Sequence, residues 1–264
     1  PSRRQRQMCI RDRCVNDVIT CGADPVLFLD YLATSKINLK FHQKVLLGIK
    51  KACEQTNVIL AGGETAEMPG FYQNNEYDLA GFCVGIIDKS KIINTNKIKE
   101  GDIIIGIESS GLHSNGYSLV NKLVEKKLLY LNQMFNRSSI GNILLRPTKI
   151  YSDLIKKIRD RTKGCAHITG GGISENLARI LPSNTSALIK VNSWNRPNIF
   201  KLIKEKSGLS DLEMFSTFNC GIGMIVIVDK KNKNNVISDC NKLNYKTFEI
   251  GTIARESGSK VIYE

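Results

Sequence analysis

Four short segments carry residue types that a scaffold alone does not require. Cys14-Val-Asn-Asp-Val18 sets Asn16 and Asp17 ahead of an apolar segment and a Gly22-Ala-Asp-Pro25 turn. An acid there can cap a helix or offer a hard oxygen to a ligand. In Ala61-Gly-Gly-Glu-Thr-Ala-Glu-Met-Pro-Gly70, a strand is expected to stop at Gly62-Gly63, with Glu64, Thr65 and Glu67 at its end. Paired glycines let the backbone approach a ligand closely. Carboxylates at such a point suit Mg²⁺, which takes one or two of them plus phosphate oxygens; a Gly-rich turn with solvated acids is the plainer reading.

The third segment is Ser109-Ser-Gly-Leu-His-Ser-Asn-Gly116. Its serine spacing is not the G-x-S-x-G elbow, which disfavours a serine hydrolase. His113 is a candidate general acid or base, or a donor to phosphate. Ser114 and Asn115 also fit a helix N-cap. The fourth is His167-Ile-Thr-Gly-Gly-Gly172, leading into a helix. Glycine-rich turns at helix N-termini turn amide N–H groups toward anions. The spacing is neither a Walker A loop nor G-x-G-x-x-G, so it indicates an anion site and no more. Phe218-Asn-Cys-Gly-Ile-Gly223 adds a glycine pair before a strand.

Alternating elements must hold these segments. Phe41, Val45, Ile49 and Cys53 share one face of a helix over about 41–56. Strands are expected at 58–61, 79–87, 102–107, 186–191 and 224–228, with a further return from Tyr245. Helices are expected after Asn115, over about 149–160, after Gly172 as far as 180–182, and over 197–206, where proline opens the first turn. The polar stretch 88–100 is the best boundary between two blocks. Mixed strands and helices in both blocks give an α+β chain of two layered α/β-type domains.

The chain has 264 residues, 42% of them hydrophobic and 24% charged, which excludes a disordered chain, a collagen repeat or a coiled-coil rod. Its longest apolar runs, such as Ile222–Val228, are far shorter than the ~20 residues that span a bilayer, so no membrane is expected. The net charge of +13 raises a basic, non-catalytic RNA-binding protein as an alternative. However, the lysines are scattered among Asn and Ile with no basic–aromatic stripe, and that reading leaves Ala61–Gly70 unexplained. No C-x-x-C pair is present among the 8 cysteines, which disfavours a zinc knuckle; reduced thiols in a cytoplasmic protein are expected. Residues 1–13 hold five Arg and one Asp with no hydrophobic period, and are expected to be a non-native or artefactual leader.

Taken together, CVND, GADPVLFLDYLAT, GGETAEMPGFY, YDLAGFCVG, SSGLHSNGYSLV, RPTKIY, HITGGGISEN, LPSNT and TFNCGIGM resemble the phosphoribosylformylglycinamidine cyclo-ligase family. The resemblance runs from Cys14 to the C-terminus. It implies ATP-dependent ring closure of formylglycinamidine ribonucleotide to 5-aminoimidazole ribonucleotide, ADP and phosphate, in purine synthesis. It also implies Mg²⁺ at Asp17 and Glu64. Asn16, Asp17, Glu64, Thr65, Ser114 and Asn115 would lie at the nucleotide, and His113 would be the catalytic group in the same cleft. Thr169, Gly170, Gly171, Gly172 and Asn219 would hold the substrate's ribose phosphate. Residues 14–97 would form an incomplete N-terminal nucleotide domain that closes a barrel in a homodimer. Residues 98–264 would form a C-terminal α/β sandwich that binds substrate. Ahead of CVND the family carries a glycine-rich arm and a G-T-D-G-V-G-T-K motif; the Arg-rich leader stands there instead, so low activity of this chain alone is expected. A related ATP-dependent enzyme with another substrate is the second alternative, and no nucleic-acid partner is expected.

Overall fold

An apolar segment that alternates with polar residues forms a sheet with one wet face, whereas an uninterrupted apolar run is buried on both faces. This chain uses both kinds. The computed structural model describes residues 14–73, 76–255 and 258–264, so the expected leader over 1–13 lies outside the described residues. A helical turn over 14–18 leads into β1 (Asp24–Thr34), α1 (Leu39–Gln55), β2 (Ile59–Glu67) and β3 (Tyr77–Ile86). The Asn38 side chain accepts from the Phe41 N–H and caps α1. From α1, Val45, Ile49 and Cys53 pack on Phe28 and Leu32 of β1, as their spacing predicts.

The three strands lie in the order β2-β1-β3, with β2 parallel and β3 antiparallel to β1. Here one expectation is corrected: β2 does not stop at Gly62-Gly63 but runs through them to Glu67. A register shift opposite Phe28/Leu29 leaves Ala61 without a partner in the ladder, and Gly62 beside it, with φ +152°, returns to pair with Leu29. At Gly63 a methyl group would run into Asp30, so glycine is what lets the strand continue. Glu64 pairs with Tyr31 and shares the sheet face opposite α1. That face is open, with Ile59 67%, Phe82 63% and Ile86 66% exposed.

The stretch 88–100 carries only short 3-10 turns at Lys89–Lys91 and Thr95–Lys97. Beyond it come β4 (Ile103–Glu108), α2 (Tyr117–Glu125), a hairpin of β5 (Met134–Phe135) and β6 (Ser138–Ser139), α3 (Ile140–Leu144) and α4 (Ser152–Ile158). Then follow β7 (Thr162–His167), α5 (Gly172–Ala178), β8 (Thr185–Ile189), α6 (Asn198–Ser207) and α7 (Asp211–Thr217). The last elements are β9 (Ile222–Val228), α8 (Lys233–Lys242), β10 (Thr247–Arg255) and β11 (Val261–Tyr263).

Six of these strands form one sheet in the order β11-β8-β10-β4-β9-β7. Every residue of β9 is buried, because the sheet is covered on both faces. Ile225 and Ile227 pack with α2, α3, α5, α6 and α7, while Met224, Val226 and Val228 pack with α4 and α8. The expected α/β sandwich is therefore present, within a mixed α+β chain.

Buried polar contacts join the first segment to this sandwich. Asn16 is fully buried; its amide donates to Lys149 O at 2.8 Å and its oxygen accepts from Tyr151 N at 3.1 Å. Arg159 donates to Gly22 O and to Asp24 Oδ2, and Lys156 lies 3.4 Å from Asp24. Burial pushes the Asp24 carboxyl up, but these two cations outweigh it and hold the group below its ordinary range.

Candidate active site

Because β9 runs antiparallel to both β4 and β7, the C-terminal ends of β4 and β7 meet at its N-terminal end. Ile107 and His167 flank the same residue, Met224. This geometry gathers the loops 109–116, 168–171 and 218–221 at one end of the sheet. Asp17 arrives there from the 14–18 turn, held by its neighbour Asn16.

His167 Nδ1 lies 2.7 Å from Asp17 Oδ1, with the His167 side chain 4% and the Asp17 side chain 54% exposed. An ionised carboxylate only accepts, so the Nδ1–H of His167 donates to Asp17, and Nε2 is the ring nitrogen not spent on that bond. His167 is the functional candidate that motif reading passed over: it opens the fourth segment, but only the fold sets it against a residue 150 positions away.

His113, the expected catalytic group of the third segment, lies inside the fold. It sits at φ +56°, 1% exposed, with Nε2 accepting from Ser110 N at 3.1 Å and lying 3.5 Å from Lys149 N. Its proton is then on Nδ1, which has no partner. Burial first, and then the nearby His167 and Lys149, push its pKa down to about 3. A buried ring whose Nε2 accepts from two backbone amides ties loop 109–113 to the 147–149 segment. The unfolded side chain, near 6.5, binds more protons than the folded one between pH 6.5 and 3. Stability is therefore full above pH 6.5 and falls below it, by at most about 1.4 kcal/mol per pH unit from this group. A His113→Asn variant, which tolerates positive φ, is expected to lose less stability than the parent from pH 7 to pH 5 in urea unfolding.

The remaining expected residues divide. Asn16 and Asn219 are both fully buried and are spent on protein partners. Asn219 donates to Gly111 O at 2.8 Å and accepts from Gly221 N and Ser109 Oγ. Each thereby fixes the loops on either side of it. Gly116, not Ser114 or Asn115, is the N-cap of α2. Ser114 Oγ instead lies 3.3 Å from Thr148 Oγ1, and Asn115 Oδ1 faces Gly170.

Glu64 and Asp17 do not share a site within one chain. Cys14 Sγ donates to Gly81 O and Val18 packs at Gly85, so the Asp17 segment underlies the α1 face of the sheet. Glu64 and its neighbour Thr65 lie on β2, with Glu64 on the opposite, open face. Among the described residues, no group of three or more His, Cys, Asp or Glu side chains is placed to hold a metal ion.

The glycine loop is clamped from behind. Thr169 Oγ1 donates to Asn176 Oδ1, and the Asn176 amide donates to Gly170 O at 3.1 Å and Gly172 O at 2.7 Å. The Gly172 N–H closes on Thr169 O, which leaves the amides of Gly170 and Gly171 for a ligand. Asn176 is a second residue that motif reading did not single out.

Comparison with known proteins agrees with this architecture. Residues 10–87 match the family AIR synthase related protein, N-terminal domain, and residues 99–264 match its C-terminal domain. Among solved structures, thiamine-monophosphate kinase from Stenotrophomonas maltophilia K279a shares the fold at 16% identity and TM-score 0.76, over 100% of this chain and 80% of that one. Hydrogenase maturation protein HypE in complex with ATP does so at 14% identity and TM-score 0.75, over 98% and 75%. These two mark a fold class. The sequence relatives are more specific: the phosphoribosylformylglycinamidine cyclo-ligase of Prochlorococcus marinus (strain MIT 9312) is 46% identical over 254 residues, 94% of this chain and 73% of that protein. That of Thermoanaerobacter pseudethanolicus is 46% identical over 253 residues, 94% and 75%. The chain belongs to the phosphoribosylformylglycinamidine cyclo-ligase family.

Proposed function

We propose that this chain closes the imidazole ring of 5-aminoimidazole ribonucleotide from formylglycinamidine ribonucleotide, with ATP as co-substrate. The observation that carries the reading is the Asp17–His167 pair at the mouth of the glycine loop. The formyl oxygen attacks the γ-phosphorus and ADP departs, which turns a poor leaving oxygen into a good one. The amidine nitrogen then closes on the formyl carbon, and phosphate leaves with the former formyl oxygen. The proton that this nitrogen loses goes to His167 Nε2, and Asp17 steadies the charged ring that results. The amides of Gly170 and Gly171, backed by Asn176, take the ribose phosphate, with Thr169 and Gly172 fixing the turn.

A Mg²⁺ ion needs hard oxygens, and the half-exposed Asp17 carboxylate meets that need through the oxygen His167 does not occupy. With ATP bound, such an ion would neutralise charge on the transferring phosphoryl group. Ser114 and Asn115 line the nucleotide side of the same mouth.

Residues 14–97 are assigned to the nucleotide and to assembly, and residues 98–264 to the substrate. The open face bearing Ile59, Phe82 and Ile86 supports a homodimer, since a monomer that leaves such a face in water invites association. Among the described residues no disulfide joins any of the cysteines, which supports a cytoplasmic setting. Among the described residues no helix is long and apolar enough to cross a membrane.

The decisive assay supplies the formylglycinamidine ribonucleotide with Mg²⁺ and ATP and follows aminoimidazole formation against ADP release. One ADP per imidazole is expected. An Asp17→Asn protein is expected to lose at least about tenfold in Mg²⁺-dependent ATP affinity, by titration. Unchanged affinity removes Asp17 from the metal.

A further inference from the structure

A second cavity of ≈ 410 Å³ opens beside the first loop, bounded by Ser109–Gly111, the β5–β6 hairpin, the end of α3 and the start of α6. Its titratable lining residues are Arg137 and Arg146, with no Asp or Glu among them. Both guanidiniums are exposed, and neither pairs with a carboxylate among the described residues. Two like charges facing one concavity repel each other, and an anion between them removes that cost.

The rest of the lining has the same sign or none. Ser109 Oγ is spent on Gly111 O and Asn219 Oδ1, and Ser110 Oγ on Pro147 O, so these hydroxyls build the wall. Asn198 and Ile199, which also line the cavity, open the ten-residue helix α6. Pro197 at its N-cap supplies no side-chain hydrogen bond and its carbonyl takes the Phe200 N–H, so the positive end of the helix dipole lies at Asn198 and Ile199 beside the cavity. Phe135, Ile143 and Ile199 add an apolar wall suited to a carbon skeleton.

We propose that this cavity binds a phosphate monoester, its phosphate gripped by the Arg137 and Arg146 forks and by the first turn of α6. Arginine is suited to this because its planar fork matches two phosphate oxygens at once. A single carboxylate ligand would neutralise only one of the two arginines. No residue of the glycine loop, 168–172, is among those that line the cavity. The proposal does not depend on the ring-closing reaction. The phosphate ester has two sources, the substrate ribonucleotide itself or a separate phosphorylated effector.

The test is calorimetric titration of the full chain with inorganic phosphate and with ribose 5-phosphate, at fixed ionic strength in chloride. Arg137→Ala and Arg146→Ala are each expected to weaken ribose 5-phosphate about tenfold, and the double variant to abolish measurable binding, with thermal melts unchanged. Failure of the parent to bind either probe overturns the proposal, as does undiminished affinity in the double variant. Binding that Gly170→Ala removes and the double arginine variant retains also overturns it, by assigning the phosphate to the glycine loop. Where the arginine variants lose affinity, KM for the ribonucleotide identifies the source. A parallel rise assigns the substrate's own phosphate, and an unchanged KM assigns a separate effector. Ring closure by the parent is scored separately, so its absence overturns the earlier reading and leaves this one standing.

Discussion

Replacing His167 by Asn is expected to lower kcat for ring closure by at least about 10²-fold, the low end of what a positioned general base contributes. Asparagine approximates the shape of the ring's near half and can still donate to Asp17, but it has no basic nitrogen at the Nε2 position. KM for ATP should change little, because asparagine keeps the hydrogen bond to Asp17. Asp17→Asn keeps an acceptor for Nδ1–H and removes the charge, so its effect on kcat should be smaller than that of His167→Asn. Single-turnover measurement of ADP release against imidazole formation locates the defect. ADP released at the parental rate with slow imidazole places it in ring closure. A His167→Asn protein that closes the ring at the parental rate ends the role assigned to this side chain.

The second large effect concerns stability. Gly172 has φ +59°, and a methyl group there runs into the Phe215 carbonyl oxygen between α5 and α7. Left-handed strain and overpacking add, so Gly172→Ala is expected to cost about 3 kcal/mol or more, measured by denaturant unfolding. Gly170 provides the contrast, because a methyl there meets only Asn115 Oδ1 at 3.8 Å. Gly170→Ala should stay as stable as its parent and raise KM for the ribonucleotide about tenfold, which corresponds to about 1.4 kcal/mol. Equal stability of the two variants contradicts the packing argument. Equal substrate affinity of Gly170→Ala and its parent contradicts the phosphate assignment.

These cases show which parts of the molecule the sequence made legible. Continuous apolar runs such as Ile222–Val228 read as strands because both of their faces are buried. The helix over Leu39–Gln55 read correctly because Val45, Ile49 and Cys53 repeat at one interval. By contrast, β7 escaped notice: Thr162-Lys-Gly-Cys-Ala-His167 is short and built of small residues, and only its pairing with β9 makes it a strand. The consequence was large, since β7 is what delivers His167. Helix α7 also went unread, although the Ser210 and Glu213 capping box was a usable signal. In Gly62-Gly63, glycine was taken as a stop, whereas the strand needs it to pass Asp30. Motif letters likewise marked His113 as chemistry. Burial, which a motif does not display, turned that residue into a clasp.

The buried Asn16 amide has a consequence for how the molecule moves. Full burial of Asn16 shields its two hydrogen bonds to Lys149 and Tyr151 from water, so moving the first segment away breaks both. Asp17 and His167 are therefore set against each other without a ligand between them. In hydrogen exchange, the Tyr151 amide should open on the same slow clock as the three-stranded sheet, and Asn16→Ala should release the two to separate clocks.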